Sequence, residues 1–216
     1  MKKVYLIVLM AALLVLFGCA QPDPTSNAVS FSRSIESGEG ASGSQQESFE
    51  AGDTTMLWAW SGEYAGRYDV ASGVRSSFDG STWSQDGAVY WNGEGEHTFI
   101  GASPALDITD PTAYGFDTPE DILWARTSAS KSGGTVALEF SHAFAKLRFE
   151  IEYASCCDDY IEDAKASIFL ADSGTMNFVG QTFSPDAGTT EVTLKNVSVD
   201  EESRTAVYEA IVIPQT

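Results

Sequence analysis

An all-β fold of the sandwich or barrel kind is what this sequence predicts, on three observations. Apolar and polar residues alternate in several short runs, Gly-rich turn signals separate those runs, and long helix-period segments are few. The nineteen glycines and the 12% aromatic content favour the same class. The clearest run is Thr135 to Tyr153. Val136, Leu138 and Phe140 alternate with Thr135, Ala137 and Glu139, and then Ala145, Leu147, Phe149, Ile151 and Tyr153 alternate with Lys146, Arg148, Glu150 and Glu152. A helix would need apolar residues three or four apart. Ser141, His142 and Ala143 interrupt the alternation, so the expectation is two neighbouring strands, each with one face in a core and one in water.

The chain begins with an address. Lys2 and Lys3 precede an uncharged run, Val4 to Phe17, with the proportions of a secretory signal. It ends at Leu16-Phe17-Gly18-Cys19, which resembles the lipobox of bacterial lipoproteins. That resemblance implies removal of residues 1–18, diacylation of Cys19 and anchoring in the outer membrane, each buried acyl methylene contributing about 0.8 kcal/mol. Residues 19–51 read as a polar tether ending in a Gly/Ser/Glu linker. Within it, Asn27 to Ile35 places Val29, Phe31 and Arg33 on one side of an extended segment and Ser30 and Ser32 on the other, a first strand with a flexible connection behind it.

The folded domain is expected over 52–216. Thr54 to Trp60 is a strand with Met56, Trp58 and Trp60 on one face, and Gly62 to Asp69 a second short one. Asp79-Gly80 and Gln85-Asp86-Gly87 mark turns. Ala88 to Trp91 and His97 to Ala102 follow as strands around the NGEGE turn. Ser103 to Asp121 reads as a surface loop, closing with a helix-start pattern at Thr118-Pro119-Glu120-Asp121. After the central pair, CCDDYIEDA is an acidic connection and Lys165 to Ala171 a strand. Ser173 to Gly188 is a loop carrying Met176 to Val179. Thr190 to Leu194 and Thr205 to Ile213 are the last strands, and Pro214 stops the final one.

Charge narrows the function. The net charge is -19, and loss of Lys2 and Lys3 with the signal leaves 10 bases against 31 acids, or -21. Nucleic acid is excluded as a partner, because binding phosphates requires clustered Lys and Arg. No G-x-S-x-G, P-loop or H-E-x-x-H pattern is present, so no enzyme is expected. Cofactors and metals are not expected either. His97 and His142 stand alone, and adjacent Cys156 and Cys157 read as one packed residue and one thiol. Asp158, Asp159, Glu162 and Asp163 lack calcium-loop spacing and read as a solvated loop. Trp58, Trp60, Trp83, Trp91 and Trp124 raise an alternative, aromatic platforms that bind glycans or a host surface, against core packing.

Several segments taken together resemble the fimbrillin family, the lipoprotein pilins of type V fimbriae and their relatives. They are the lipobox Cys19, VSFSR at Val29 to Arg33, AVYWNGEGEHTFIGASPA at Ala88 to Ala105, PEDILWA at Pro119 to Ala125, VALEFSHAFAKLRFEI at Val136 to Ile151, and YEAIVIPQT at Tyr208 to Thr216. The resemblance implies a transthyretin-like Greek-key β-sandwich of about seven strands as an N-terminal domain. A second β-domain usual in the family is expected to be absent. It also implies a structural or accessory role in a cell-surface fimbria, with other fimbrial subunits as partners by β-strand addition. Val29 and Phe31 then belong to an exchangeable strand, Arg33 is the candidate residue for proteolytic processing, and His142 is a family landmark rather than a catalytic group.

Overall fold

Period-two alternation becomes strand almost throughout. The computed structural model describes residues 27–36, 45–154 and 164–214, and among them fourteen strands form three sheets. The largest sheet contains β1 (Phe31–Ile35), β2 (Thr54–Ser61), β3 (Tyr68–Phe78), β4 (Trp83–Gln85), β5 (His97–Ser103), β7 (Leu123–Ala129) and β8 (Val136–His142). Their order is β1-β8-β7-β5-β2-β3-β4. All pairings in it are antiparallel except β1 with β8. A three-stranded sheet is ordered β12-β11-β6, from β6 (Tyr114–Phe116), β11 (Gly174–Asn177) and β12 (Thr182–Pro185). A four-stranded sheet is ordered β10-β13-β14-β9, from β9 (Ala145–Glu152), β10 (Ala166–Leu170), β13 (Thr190–Asp200) and β14 (Thr205–Val212). The all-β sandwich class is as expected, whereas fourteen strands stand where about seven were expected, because the segments read as loops also pair.

Two cores lie on opposite faces of β2 and β5. Met56, Trp58, Trp60, Ile100 and Ala102 face a cluster completed by Phe116, Met176, Phe178 and Ile213, so the three-stranded sheet packs on this side. Leu57, Ala59 and Phe99 face the other way, into a cluster with Val89, Trp91, Leu123, Val136, Leu138 and Phe140. Strands in the middle of a sandwich are covered on both faces, so β2 reads as a nearly continuous apolar run. Packing between β5 and β8 is close. A Cβ placed on Gly101 would lie 2.8 Å from Phe140 Cζ, which is why glycine occupies that site. The large sheet also curls. Its two ends approach each other, since Arg33 on β1 reaches Ser76 on β3 and Trp83 on β4.

The four-stranded sheet has its own cluster, Leu194, Ala206, Tyr208, Ala210 and Val212 with Leu147, Ile151, Ile168 and Val192 beside them. β14 runs between β13 and β9 and is buried continuously from Ala206 to Ala210. Glu209 is buried on its opposite face and accepts a hydrogen bond from Arg148 Nη1 at 3.0 Å.

Several local expectations are revised. β8 and β9 are consecutive but not paired: β8 bonds to β1 and β7, while β9 bonds to β14 in a different sheet. Ala143 and Phe144 make the crossing, and both are buried because they turn a corner between sheets. Tyr64–Gly66 is a single 3-10 turn ahead of β3, not a strand. Ala88 to Trp91 forms only an isolated bridge, Ala28 to Tyr90. Thr118 to Asp121 starts no helix: the chain runs on into extended β7, and the Asp121 carboxylate is engaged by His142. The long loops were less irregular than expected. Tyr114–Phe116 and the β11–β12 hairpin pair with each other and seal the first core. The Asp79-Gly80 turn is as expected: Asp79 Oδ1 accepts from the Ser81 and Thr82 amides at 2.8 and 2.7 Å, and Gly80 takes φ 97°. These bonds hold the Asp79 carboxyl well below the usual range. CCDDYIEDA lies outside the described residues except for Ala164, as do Cys19 and residues 1–26.

Candidate functional site

Strand β1 and the ground it occupies are the features the sequence singled out. β1 forms where Val29, Phe31, Arg33 and Ile35 share one face, and that face turns inward. Val29 is buried, Phe31 and Ile35 are half-buried against the core containing Phe99 and Phe140, and Ser32 and Ser34 are exposed. Phe31 meets Phe99 edge to face with centroids 5.8 Å apart. The strand runs parallel to β8 in the register Phe31 to Val136 through Ile35 to Phe140. Bonds from the Val136 amide to Ser30 O (2.8 Å) and from the Glu36 amide to Phe140 O (2.7 Å) bracket this ladder. Just before it, Val29 N donates to Val89 O at 2.8 Å and Trp91 N donates to Asn27 O at 3.0 Å. β8 is the one strand hydrogen-bonded to β1 in the sheet, and the far side of β1 faces β4 across a cleft of about 470 Å³.

Arg33 spans that cleft from the inside. Its guanidinium lies 4.8 Å from the Trp83 ring centroid and 5.5 Å from that of Phe31, and Nη2 donates to Ser76 Oγ at 2.9 Å. Nε is buried with no hydrogen-bond partner. No carboxylate forms an ion pair with this guanidinium among the described residues. Burial accordingly lowers its pKa from 12.5 to about 10. The aromatic faces take the place of a counter-ion.

A short strap closes the mouth of the cleft. Phe49 packs edge-on against Trp83 and Phe140, with centroids 5.0 and 5.5 Å away. Upstream, Gln46 N donates to Asp121 Oδ2 at 2.6 Å and Gln45 Nε2 to Phe144 O at 3.2 Å. His142 Nδ1 and Asp121 Oδ1 lie 2.7 Å apart, so the imidazole orients the carboxylate that clasps the strap. The family-landmark histidine is thus a structural group here. Its Nε2 is buried and unpartnered. His97 is also spent on loop geometry: Nε2 accepts from Asn92 N at 3.0 Å, while Nδ1 lies 2.8 Å from Gly95 O.

The other sequence candidates do not converge on this site. Among the described residues no three His, Cys, Asp or Glu side chains are grouped as a metal site would require. Cys156, Cys157 and Asp158, Asp159, Glu162 and Asp163 lie outside them, as does Cys19. The tryptophans pack: Trp58, Trp60 and Trp91 are buried, and half-buried Trp83 and Trp124 lie against Phe78 and Phe183. The strap was missed by sequence reading, because Phe49 is a single apolar residue in a polar stretch.

β1 is thus an edge strand of a curled sheet, seated over an apolar core. The chain belongs to the fimbrillin-like family, whose model matches residues 41–216. No curated protein matches it. Among solved structures, one described as a candidate cell adhesion protein from Bacteroides ovatus is similar over 87% of this chain and 78% of its own, at 14% identity and a TM-score of 0.59. Another so described, from Bacteroides thetaiotaomicron, is similar over 88% of this chain and 75% of its own, at 16% identity and a TM-score of 0.50. At these identities the likeness establishes the fold.

Proposed function

We propose that this chain is a non-enzymatic structural or accessory subunit of a cell-surface fimbria. In this reading it is first anchored in the outer membrane through acylated Cys19, and processing at Arg33 then releases the folded part from that anchor to join other subunits by strand exchange. Family membership supports the fimbrial assignment, and the adhesion descriptions of the structural neighbours agree with it. The observation that carries the exchange is the seating of β1. β8 is its one neighbour in the sheet, and the bonds of Asn27 and Val29 to Trp91 and Val89 would be lost with it, so its departure leaves six strands in register while exposing the edge of β8 and the core around Val136, Leu138 and Phe140. An incoming strand recovers a hydrogen-bond ladder and about 1.5 to 3 kcal/mol for each apolar side chain fully inserted.

Two experiments test it. Protein cut at Arg33 by an arginine-specific protease is offered synthetic peptides of fimbrial C-terminal strands, with a peptide of residues 27–36 as the native reference. Slow-dissociating binding of a fimbrial peptide is expected, and recovery of the native peptide alone would falsify exchange. For the anchor, palmitate labelling is expected on the wild type and lost in Cys19→Ala. Label that survives the substitution overturns acylation at that cysteine.

A further inference from the structure

While β1 is docked, Arg33 is placed where a protease cannot reach it. A trypsin-like or arginine-specific protease must draw the arginine side chain into its own pocket and hold the flanking backbone extended in its cleft. Here the side chain points inward with Val29, Phe31 and Ile35, its guanidinium packed on Trp83 and Phe31 and bonded to Ser76. The backbone on both sides is paired to β8. Phe78 stacks on Trp83 and the strap residue Phe49 meets it edge to face, which holds the ring in place. From these contacts we infer that Arg33 is a latch: the docked strand hides its own cleavage site, and β1 must leave the sheet before the Arg33–Ser34 bond can be cut. The inference rests on the reading of Arg33 as the processing residue.

The consequence is an order of events. Undocking comes first and is reversible, because the guanidinium can return between the rings. Hydrolysis comes second. Water adds across the peptide bond between Arg33 and Ser34, giving a new carboxyl terminus on Arg33 and a new amino terminus on Ser34. Val29, Phe31 and Arg33 then depart on one fragment while Ile35 stays behind, so the three inward contacts that would re-seat the strand are lost together. An uncut chain keeps whatever precedes Arg33. No other Lys or Arg lies between Lys3 and Arg67, so cleavage in this region has a single readout.

Local opening sets the cutting rate when reclosing is fast. The full chain is digested with an arginine-specific protease, and the cut at Arg33 is timed by mass spectrometry beside a free peptide of residues 27–36. The folded chain is expected to be cut at Arg33 roughly 100-fold more slowly than the peptide. Trp83→Ala removes the larger ring contact and is expected to raise the rate about tenfold. A second variant guards against misfolding of the first. Ser32 and Ala137 are register partners on the exposed face, and Ser32→Cys with Ala137→Cys forms a cross-link between β1 and β8. Oxidised, this variant is expected to resist cutting at Arg33, and reduced, to regain the wild-type rate. Cutting of the folded chain at the peptide rate, or of the cross-linked variant at the reduced rate, overturns the latch. Failure of the processing reading looks different: cells would retain the uncut chain while the gating measured on purified protein stands.

Discussion

The first and last described strands, β1 and β14, both alternate in sequence yet are held in contrasting ways. β14 has neighbours on both sides, pairing through all eight of its residues with β9 and through five of them with β13, and it is buried without interruption from Ala206 to Ala210. β1 has five residues, one parallel neighbour and a half-buried inner face. Removing β14 would divide a sheet and expose both of its faces, whereas removing β1 strips one edge. The difference teaches that replaceability is set by the number of ladders a strand shares, more than by how apolar it is.

The largest expected effect falls on β14. Tyr208 is 1% exposed, its hydroxyl bonds to Tyr153 at 2.8 Å and to Ala164 O at 3.2 Å, and its ring is central to the four-stranded sheet's cluster. Tyr208→Ala should cost about 3–5 kcal/mol, read as a lower urea midpoint at unchanged slope. A loss below about 1 kcal/mol would erase the contrast, by showing β14 to be as dispensable as β1.

Next comes the seat of β1. Gly101→Ala would push a methyl into Phe140 Cζ, at 2.8 Å, in the strand that carries β1. Overpacking there should cost about 1–3 kcal/mol. Combining it with Phe140→Leu should recover part of that loss in the same urea experiment, since the clash is with the ring itself. If the double variant is simply the sum of the two singles, Phe140 is not the obstacle.

Phe31→Ala should be milder, about 1–2 kcal/mol, because the side chain is only half-buried and its main ring partner is Phe99. Hydrogen exchange sharpens the point. Amides of β1 should lose protection in this variant while those of β14 keep theirs. Equal loss in both strands would mean that β1 does not open independently.

How much of this was legible beforehand depends on the kind of information. Alternation, or in β2 a short apolar run, predicted β1, β2, β5, β8, β9, β10, β13 and β14 because both signals are local. It could not assign β8 and β9 to different sheets. Their alternation is alike, and pairing depends on where Ala143 and Phe144 steer the chain. The helix start at Thr118 to Asp121 failed because the residues after it, Leu123 to Ala129, pair along β5, a tertiary ladder that local propensity does not contain. For β1 the sequence carried more than its motif. Arg33 shares parity with Val29 and Phe31, so an inward guanidinium follows from the alternation alone. What parity could not supply were Trp83, Ser76 and Phe49, which arrive from distant segments and turn an inward arginine into a held one.

The smallest expected effect is also the one that distinguishes the two strands by chemistry. Burial first, and then the hydrogen bond and charge of Tyr153, raise the Tyr208 hydroxyl from 10 to about 12. The neutral phenol is therefore favoured in the folded chain. Between pH 10 and about 12 the unfolded chain has released this proton while the folded chain retains it, so the fold binds more protons and loses stability as pH rises through that window. β1 contains no tyrosine and has no such dependence from a phenol. Burial also raises the Tyr64 and Tyr114 phenols, so titration followed by tyrosinate absorbance should show several of the eight tyrosines ionising late, with the step near pH 12 missing in Tyr208→Phe. Urea midpoints measured across the same window should fall in the wild type and fall less in Tyr208→Phe. Equal slopes in the two proteins would place the alkaline loss elsewhere and remove titration as a means of loosening β14 selectively.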